Sequence, residues 1–124
     1  MVTKKTVKKK TTVKKITSIN HPIIKVKGFH NGWTIGIVTY KKLNCEFEMK
    51  NFIEPSEFGI NKGCISKLHI VLKTTGSTIL SYDRGWDVRP KSDFAKAIYK
   101  QFLKEFNKGM PEQYIARWNK SWDE

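Results

Sequence analysis

Residues 23–40 read IIKVKGFHNGWTIGIVTY, with Asn31-Gly32 at the centre. The runs on either side are rich in β-branched and aromatic residues, which favour strands. Asn-Gly between two such runs is the strongest short-range signature of a β-hairpin with a type I′ turn, because both central residues of that turn need a positive φ. The sequence therefore predicts two antiparallel strands, from Ile23 to His30 and from Trp33 to Tyr40.

The second strand of this hairpin has large apolar residues at alternate positions. Trp33, Ile35 and Ile37 share one face because side chains alternate along a strand, and we expect that face to belong to the core. Gly36 lies on the opposite face, where it leaves room for a bulge or a closely packed neighbour.

Further strands follow with short connections. The segment from Asn44 to Lys50 alternates apolar and polar residues, which is typical of an antiparallel strand with one solvent-exposed face. Strands are also predicted from Ile65 to Leu72 and from Thr78 to Tyr82, and the intervening residues 54–63 form a loop by their turn composition. The sequence therefore predicts an antiparallel meander of four to five strands.

The C-terminal part of the chain predicts helices. Ser92 is placed to accept a hydrogen bond from the first turn of a helix, and Gly109 ends that helix. Its apolar stripe has a residue at every fourth position: Phe94, Ile98, Phe102 and Phe106. The predicted α+β domain spans 16–109, with one long helix packed on one face of the sheet, and a short helix or tail follows at 110–124.

Positive charge is concentrated at the N-terminus. The 124-residue chain has 24 Lys and Arg against 11 Asp and Glu, a formal net charge of +13. Residues 1–15 contain seven lysines and no acidic residue, which leaves 17 basic and 11 acidic residues over 16–124. Seven like charges with few apolar residues predict an arm that is disordered when free.

Such an arm is suited to polyanions. Lysine is a strongly hydrated point charge that binds phosphate without discriminating between bases, so we expect largely non-specific binding of nucleic acid, either DNA or RNA. No base-reading motif such as a helix-turn-helix or a zinc finger accompanies the arm. The predicted nucleic-acid-binding residues are Lys4, Lys5, Lys8, Lys9, Lys10, Lys14 and Lys15, with Lys25 and Lys27 of the first strand extending the track.

The densest polar cluster is YDRGWD at 82–87, followed by Arg89-Pro90. One interpretation is a structural turn, in which Asp83 bonds the nearby backbone and Gly85 takes a positive φ. The other is a contact with a partner. The candidates for partner binding are Arg84, Trp86, Arg89, Arg117, Trp118 and Trp122.

The four tryptophans divide into two expected groups. Trp33 and Trp86 are expected to pack in the core or in a turn, although either could stack on single-stranded bases. Trp118 and Trp122 lie beside Arg117 and Lys120 and are the better candidates for an exposed contact.

Catalysis has little support in the sequence. The weak candidates for a divalent-metal site are Glu57, Asp83 and Asp87. Arginines among these carboxylates favour ion pairs instead. The two cysteines and three histidines lack zinc-site spacing; Cys45 fits the buried side of a strand, and Cys64 has no nucleophile signature. We therefore expect no cofactor and no catalytic residue.

Two motifs resemble a known family. EFGINKGCISKL at 57–68, together with YDRGWD at 82–87 and a proline before a helix, is similar to small uncharacterised domains of Gram-positive bacteria and their phages. The resemblance covers about residues 30–107. It implies a bacterial or phage setting, and it brings no activity and no catalytic residue, because the family has none assigned.

The sequence therefore favours a small accessory protein that binds nucleic acid and is not an enzyme. One alternative is a protein–protein inhibitor or adaptor acting on a host nucleic-acid enzyme, in the manner of an anti-CRISPR or another anti-defence protein. A metal-dependent nuclease comes third. With no apolar run of 18 residues, a membrane span is not expected, and the expected location is cytoplasmic; the sequence does not indicate an oligomeric state.

Overall fold

The computed structural model describes residues 20–123, which form a six-stranded antiparallel sheet and two helices. Strand order in the sheet follows chain order. The strands are β1 Ile23–His30, β2 Trp33–Tyr40, β3 Leu43–Asn51, β4 Ile65–Leu72, β5 Thr78–Asp83 and β6 Trp86–Val88, and the helices are α1 Asp93–Phe106 and α2 Glu112–Ser121. The predicted arm at 1–15, with its seven lysines, lies outside the described residues.

The first hairpin is confirmed in both its strands and its turn. Asn31 and Gly32 have φ values of 48° and 82°, as a type I′ turn requires. The C-terminal helix docks on this turn. The backbone N–H groups of Asn31 and Gly32 donate to the carbonyl oxygen and to Oγ of Ser121, both at 3.0 Å, and Trp118 Nε1 donates to the Gly32 carbonyl oxygen at 3.1 Å.

The predicted core face of β2 is wrong. Trp33, Ile35 and Ile37 lie on the face that no helix of residues 20–123 covers, and Ile35 is 41% exposed. The buried face carries Thr34, Gly36 and Val38 instead. At Gly36 there is no room for a side chain, because a Cβ would overlap the backbone carbonyl oxygen of Lys25 on β1 and also press on the Phe47 ring of β3.

Both helices pack against the same face of the sheet. The rings of Phe47 on β3 and Phe102 on α1 meet edge to face at 4.9 Å, and Tyr114 of α2 packs against Phe29 and Phe106. Edge-to-face and offset aromatic pairs contribute beyond the apolar area that they bury. The α+β class is confirmed, but the sheet has a sixth strand, so the expected four to five strands understate it. The second helix, α2, lies within 110–124, where a short helix or tail is expected.

The ends of α1 are largely as predicted. Ser92 Oγ accepts a 3.0 Å hydrogen bond from the Ala95 N–H, which satisfies one free donor of the first turn. The helix ends at Phe106, with Asn107 as its C-cap and Gly109 in the left-handed region shortly after. Within residues 20–123, no helix is both long and apolar enough to cross a membrane.

Candidate functional site

The exposed face of the sheet carries two lysines side by side. Lys50 of β3 and Lys67 of β4 are directly opposite in the strand register, and like charges at such positions destabilise a sheet. The Trp33 ring offsets part of this repulsion, because the two Nζ atoms lie 5.3 and 5.9 Å from its centroid. Lys67 also pairs with Asp83 at 3.6 Å. In the described part of the chain, Lys50 has no carboxylate within ion-pair distance.

A cavity of about 670 Å³ adjoins this lysine pair at the end of the sheet where β3 leads into β4. We call it the cationic groove. It combines three cations with a larger apolar surface and one carboxylate, that of Glu54. The cations are Lys50, Lys67 and Arg84; the apolar residues are Phe52, Ile53, Pro55 and Phe58; Ser56 and Ser66 complete the lining.

Arg84 reaches the groove from the turn between β5 and β6. Its backbone is left-handed, with a φ of 56°, and its N–H donates to the Ser66 carbonyl oxygen at 2.9 Å. The prediction that Gly85 takes the positive φ is therefore wrong, since the residue before it does so. The guanidinium lies 3.7 Å from Asp83 and its side chain is 65% exposed, so most of its donors face solvent.

The loop that lines the groove is held by two elements of the core. Tyr82 Oη on β5 donates to the Phe58 carbonyl oxygen at 2.8 Å. Asn107 at the end of α1 donates through Nδ2 to the Ile60 carbonyl oxygen at 2.8 Å and accepts through Oδ1 from the Ile65 N–H at 2.9 Å. The loop backbone is therefore fixed before any ligand binds, which lowers the entropy lost on binding.

Two large apolar side chains on this loop remain in solvent. Phe58 is 56% and Ile53 is 50% exposed, and both line the groove beside the cations. A contiguous exposed apolar surface with a polar rim is typical of a binding site. Neither residue stands out in the sequence, because isolated apolar residues in a loop are common.

The two C-terminal tryptophans, Trp118 and Trp122, are expected to be exposed, and this is true of one of them. Trp118 is buried, with 6% of its surface exposed, and its indole N–H is used in the contact with the first turn; the prediction that it is exposed is wrong. Trp122 is 42% exposed. Its ring stacks against Phe52 and lies 5.1 Å from the Lys50 Nζ, so it extends the aromatic surface next to the groove.

Trp86 and Arg89 lie away from the groove, at the other side of the sheet. Trp86 is half-buried and packs edge to face with Tyr82 and Tyr99, as expected for turn packing, and the Arg89 guanidinium lies 5.4 Å from its ring centroid. A smaller cavity there is also lined by two lysines of α1, Lys96 and Lys100.

The remaining candidates do not meet at one site. Lys25 and Lys27 are exposed on β1, where Lys27 lies at a break in the register with β2. Arg117 of α2 is exposed and lies over the Phe29 ring at 5.1 Å. None of these three lines the cationic groove.

Comparison with family models gives a match over residues 32–107, to a domain of unknown function, DUF7678. The chain belongs to the DUF7678 family. This agrees with the small uncharacterised domain expected from the motifs at 57–68 and 82–87. Searches of the curated proteins and of the solved structures found no match.

The DUF7678 span runs from the first turn to the end of α1. It contains the three cations of the groove, the loop that bears Phe58, and both residues that hold this loop. Trp122 and the rest of α2 lie beyond it. The cationic groove is therefore built almost entirely from the DUF7678 domain, and α2 adds an aromatic edge to it.

The three carboxylates considered for a metal site do not form one. Asp83 is engaged by Lys67 and Arg84, and within residues 20–123 no group of three or more His, Cys, Asp or Glu side chains is placed to hold a metal ion. Asp83 and Asp87 line a shallow depression on the exposed face that Glu57 does not reach.

Both thiols are buried and poorly suited to nucleophilic chemistry. Burial raises the pKa of Cys45 to about 11. The pKa of Cys64 is also raised, first by burial and then by the nearby charge of Glu54. A raised pKa reduces the thiolate fraction at neutral pH, and the thiolate is the reactive form.

Proposed function

We propose that the protein is a non-catalytic accessory that binds nucleic acid through its phosphates, largely without sequence discrimination. The observation that carries this proposal is the pairing of Lys50 and Lys67 across adjacent strands, with Arg84 beside them. Three cations around one cavity repel one another. A bound phosphate relieves that repulsion and accepts charge-assisted hydrogen bonds from them.

The charge distribution of the whole chain supports the same class of ligand. Residues 16–124 have 17 basic against 11 acidic residues. In the described part of the chain the ion pairs join Lys67 and Arg84 to one shared carboxylate, Asp83, so most of the cations are available to a polyanion. Residues 1–15 add seven lysines, which suit a phosphate backbone.

We place this function in the cytoplasm, in the bacterial or phage setting that the family resemblance of the motifs at 57–68 and 82–87 implies. A protein partner is the alternative. An inhibitor or adaptor acting on a host nucleic-acid enzyme would use the same positive surface against an acidic protein.

The test is equilibrium binding of the full chain to DNA and RNA, single- and double-stranded, between roughly 50 and 200 mM salt. A full-length variant with the seven lysines of 1–15 changed to glutamine is measured in parallel. We expect binding by the unmodified chain to weaken steeply with salt. On duplex DNA, each phosphate contact contributes about 0.9 to the steepness of log affinity against log salt. The glutamine variant, which lacks seven lysines, should therefore have a slope that is shallower by about 6.

A matched control changes the same seven lysines to arginine, which keeps the charge and should keep the salt slope. Equal slopes for the glutamine and arginine variants would show that the N-terminal lysines contribute nothing. Absence of binding by the unmodified chain at the lowest salt would contradict the nucleic-acid proposal and favour the protein partner.

A further inference from the structure

We infer that the cationic groove binds an unpaired nucleotide of single-stranded nucleic acid, with its base against Phe58 and its phosphate on Lys50, Lys67 and Arg84. This inference rests on the proposed function and names the form of nucleic acid that the groove takes. It is distinct from the role of the N-terminal lysines, which neutralise phosphates of single and double strands alike.

The lining of the groove argues for more than phosphate. Four of its ten lining residues are apolar, and two of these, Ile53 and Phe58, are at least half exposed. A site for phosphate alone needs donors and positive charge and gains nothing from exposed apolar rings. A base offers an apolar face to stack on an aromatic side chain, and such stacking is tolerant of sequence because every base has that face.

The size of the groove fits a nucleotide. A volume of about 670 Å³ lies within the range of about 300–1,000 Å³ typical of small-molecule sites. In a double helix the bases are paired and stacked inside, so a duplex presents phosphates to the cations but no free base face to Phe58. The groove therefore favours single strands.

The Phe58 backbone is fixed without a ligand. Its carbonyl oxygen accepts from Tyr82 Oη, its N–H donates to Ser56 Oγ at 3.2 Å, and Gly59 donates to the Ser56 carbonyl oxygen at 3.1 Å. The stacking surface is thus preorganised, and little backbone order has to be gained on binding.

The charges favour a phosphate on the sheet side of the groove. Asp83 balances Lys67 and Arg84 in part, whereas the Lys50 ammonium lies near the Trp33 and Trp122 rings and, among residues 20–123, pairs with no carboxylate. Glu54 is the one carboxylate among the lining residues, and it repels a phosphate from the loop. When the phosphate binds the lysines, the base of the same nucleotide faces Phe58.

The test uses the full chain and three probes of equal length, about 12 nucleotides, within the usual site size for single strands. The probes are a single-stranded oligothymidine, a G·C-rich duplex that stays paired at low salt, and an abasic oligomer that keeps the phosphates and lacks the bases. We expect the oligothymidine to bind about 5- to 150-fold more tightly than the abasic oligomer, which is the range for one stacked base.

The decisive variant is Phe58→Ala, which should reduce the affinity for oligothymidine about 5- to 150-fold and leave the affinities for the abasic oligomer and the duplex unchanged. Phe58→Trp should restore the affinity for oligothymidine. Leu43→Ala is the matched control, because Leu43 is also an exposed apolar residue, 37% exposed, but lies at the start of β3, away from the groove. Thermal unfolding of each variant checks that the fold is kept.

The outcomes separate the two proposals. Equal binding of all three probes, with no effect of Phe58→Ala, would overturn the single-strand inference and leave phosphate binding standing. No binding of any probe at roughly 50 mM salt, where phosphate contacts are strong, would overturn both. Loss of affinity for all three probes in Phe58→Ala would also contradict base stacking, since only one probe offers an unpaired base.

Discussion

The buried Tyr82 donates its hydroxyl hydrogen to the backbone carbonyl oxygen of Phe58, with 2.8 Å between the two oxygen atoms. Tyr82 is 8% exposed and Phe58 is 56% exposed, so a core residue of β5 fixes the position of an aromatic residue in solvent. Loops are usually more mobile than the elements they connect. Here the backbone that carries the exposed ring is held by the core, which limits where the ring can lie.

Removing this hydrogen bond with Tyr82→Phe should weaken single-strand binding without removing the stacking ring. We expect the free energy of unfolding to fall by about 1 kcal/mol and the oligothymidine affinity to fall several-fold, because the loop then has to be ordered on binding. Chemical denaturation and fluorescence titration measure the two effects. Tyr40→Phe is the control, since no hydrogen bond of the Tyr40 hydroxyl is found in the described part of the chain and its ring packs on Phe94; a similar loss of affinity there would contradict the role of Tyr82.

Asn107 should be sensitive to substitution because its side chain joins the end of α1 to the loop and to β4. Its side chain satisfies both the Ile60 carbonyl oxygen and the Ile65 N–H, and Asn107→Ala leaves these partly buried groups without partners. We expect a loss of about 1–3 kcal/mol in the free energy of unfolding, read from denaturant midpoints at unchanged slope. Asn119→Ala on the exposed side of α2 should change it by less than about 0.5 kcal/mol. Equal losses for both variants would show that Asn107 has no special role.

The turn between β2 and β3 is strained by its residue types. Lys41 and Lys42 both have positive φ, 51° and 66°, in a region that costs residues with a Cβ about 1–2 kcal/mol each. Replacing the pair with Asn-Gly, which favours this turn, should raise the free energy of unfolding by about 1 kcal/mol after the entropy cost of glycine. The Ala-Ala variant removes the same charges and keeps the strain, so it should bring no gain; an equal gain in both would assign the effect to charge.

The strand positions of this fold follow from local sequence, but the buried face of β2 does not. Alternation and the Asn-Gly turn locate β1 and β2, and Ser92 locates the start of α1. The predicted buried face of β2 is wrong because Trp33 and Ile35 are more hydrophobic than Thr34 and Gly36, so the pattern along the strand favours the wrong face. The core side of β2 is filled by Phe47 from the next strand, and a pattern read along one strand cannot contain that information. The sixth strand has three residues, too few to show alternation.

The cationic groove depends on long-range register. Lys50 and Lys67 each look like the solvent-facing residue of an amphipathic strand, and only the pairing of β3 with β4 makes them neighbours. The position of Trp122 beside Lys50 depends in addition on how α2 docks on the first turn. The sequence does contain one indication of this contact. Both lysines occupy solvent-facing positions of consecutive strands, and in a meander such strands are neighbours in the sheet.

Cys45 should make the stability of the fold fall at alkaline pH. Burial raises the pKa of its thiol from 9.0 to about 11 in the folded state. Above pH 9 the unfolded chain has lost this proton while the folded chain retains it, so the contribution to stability is complete below pH 9 and is lost as the pH rises toward 11.

The expected slope is about 1.4 kcal/mol of unfolding free energy per pH unit in that window. Burial also raises the pKa of Tyr99, so the readout is the difference between the unmodified chain and Cys45→Ala in denaturant titrations at several pH values. The variant is less stable at neutral pH because a buried sulfur is lost, and the gap should narrow from pH 9 to 11. A gap that stays constant would show that Cys45 ionises equally in the two states.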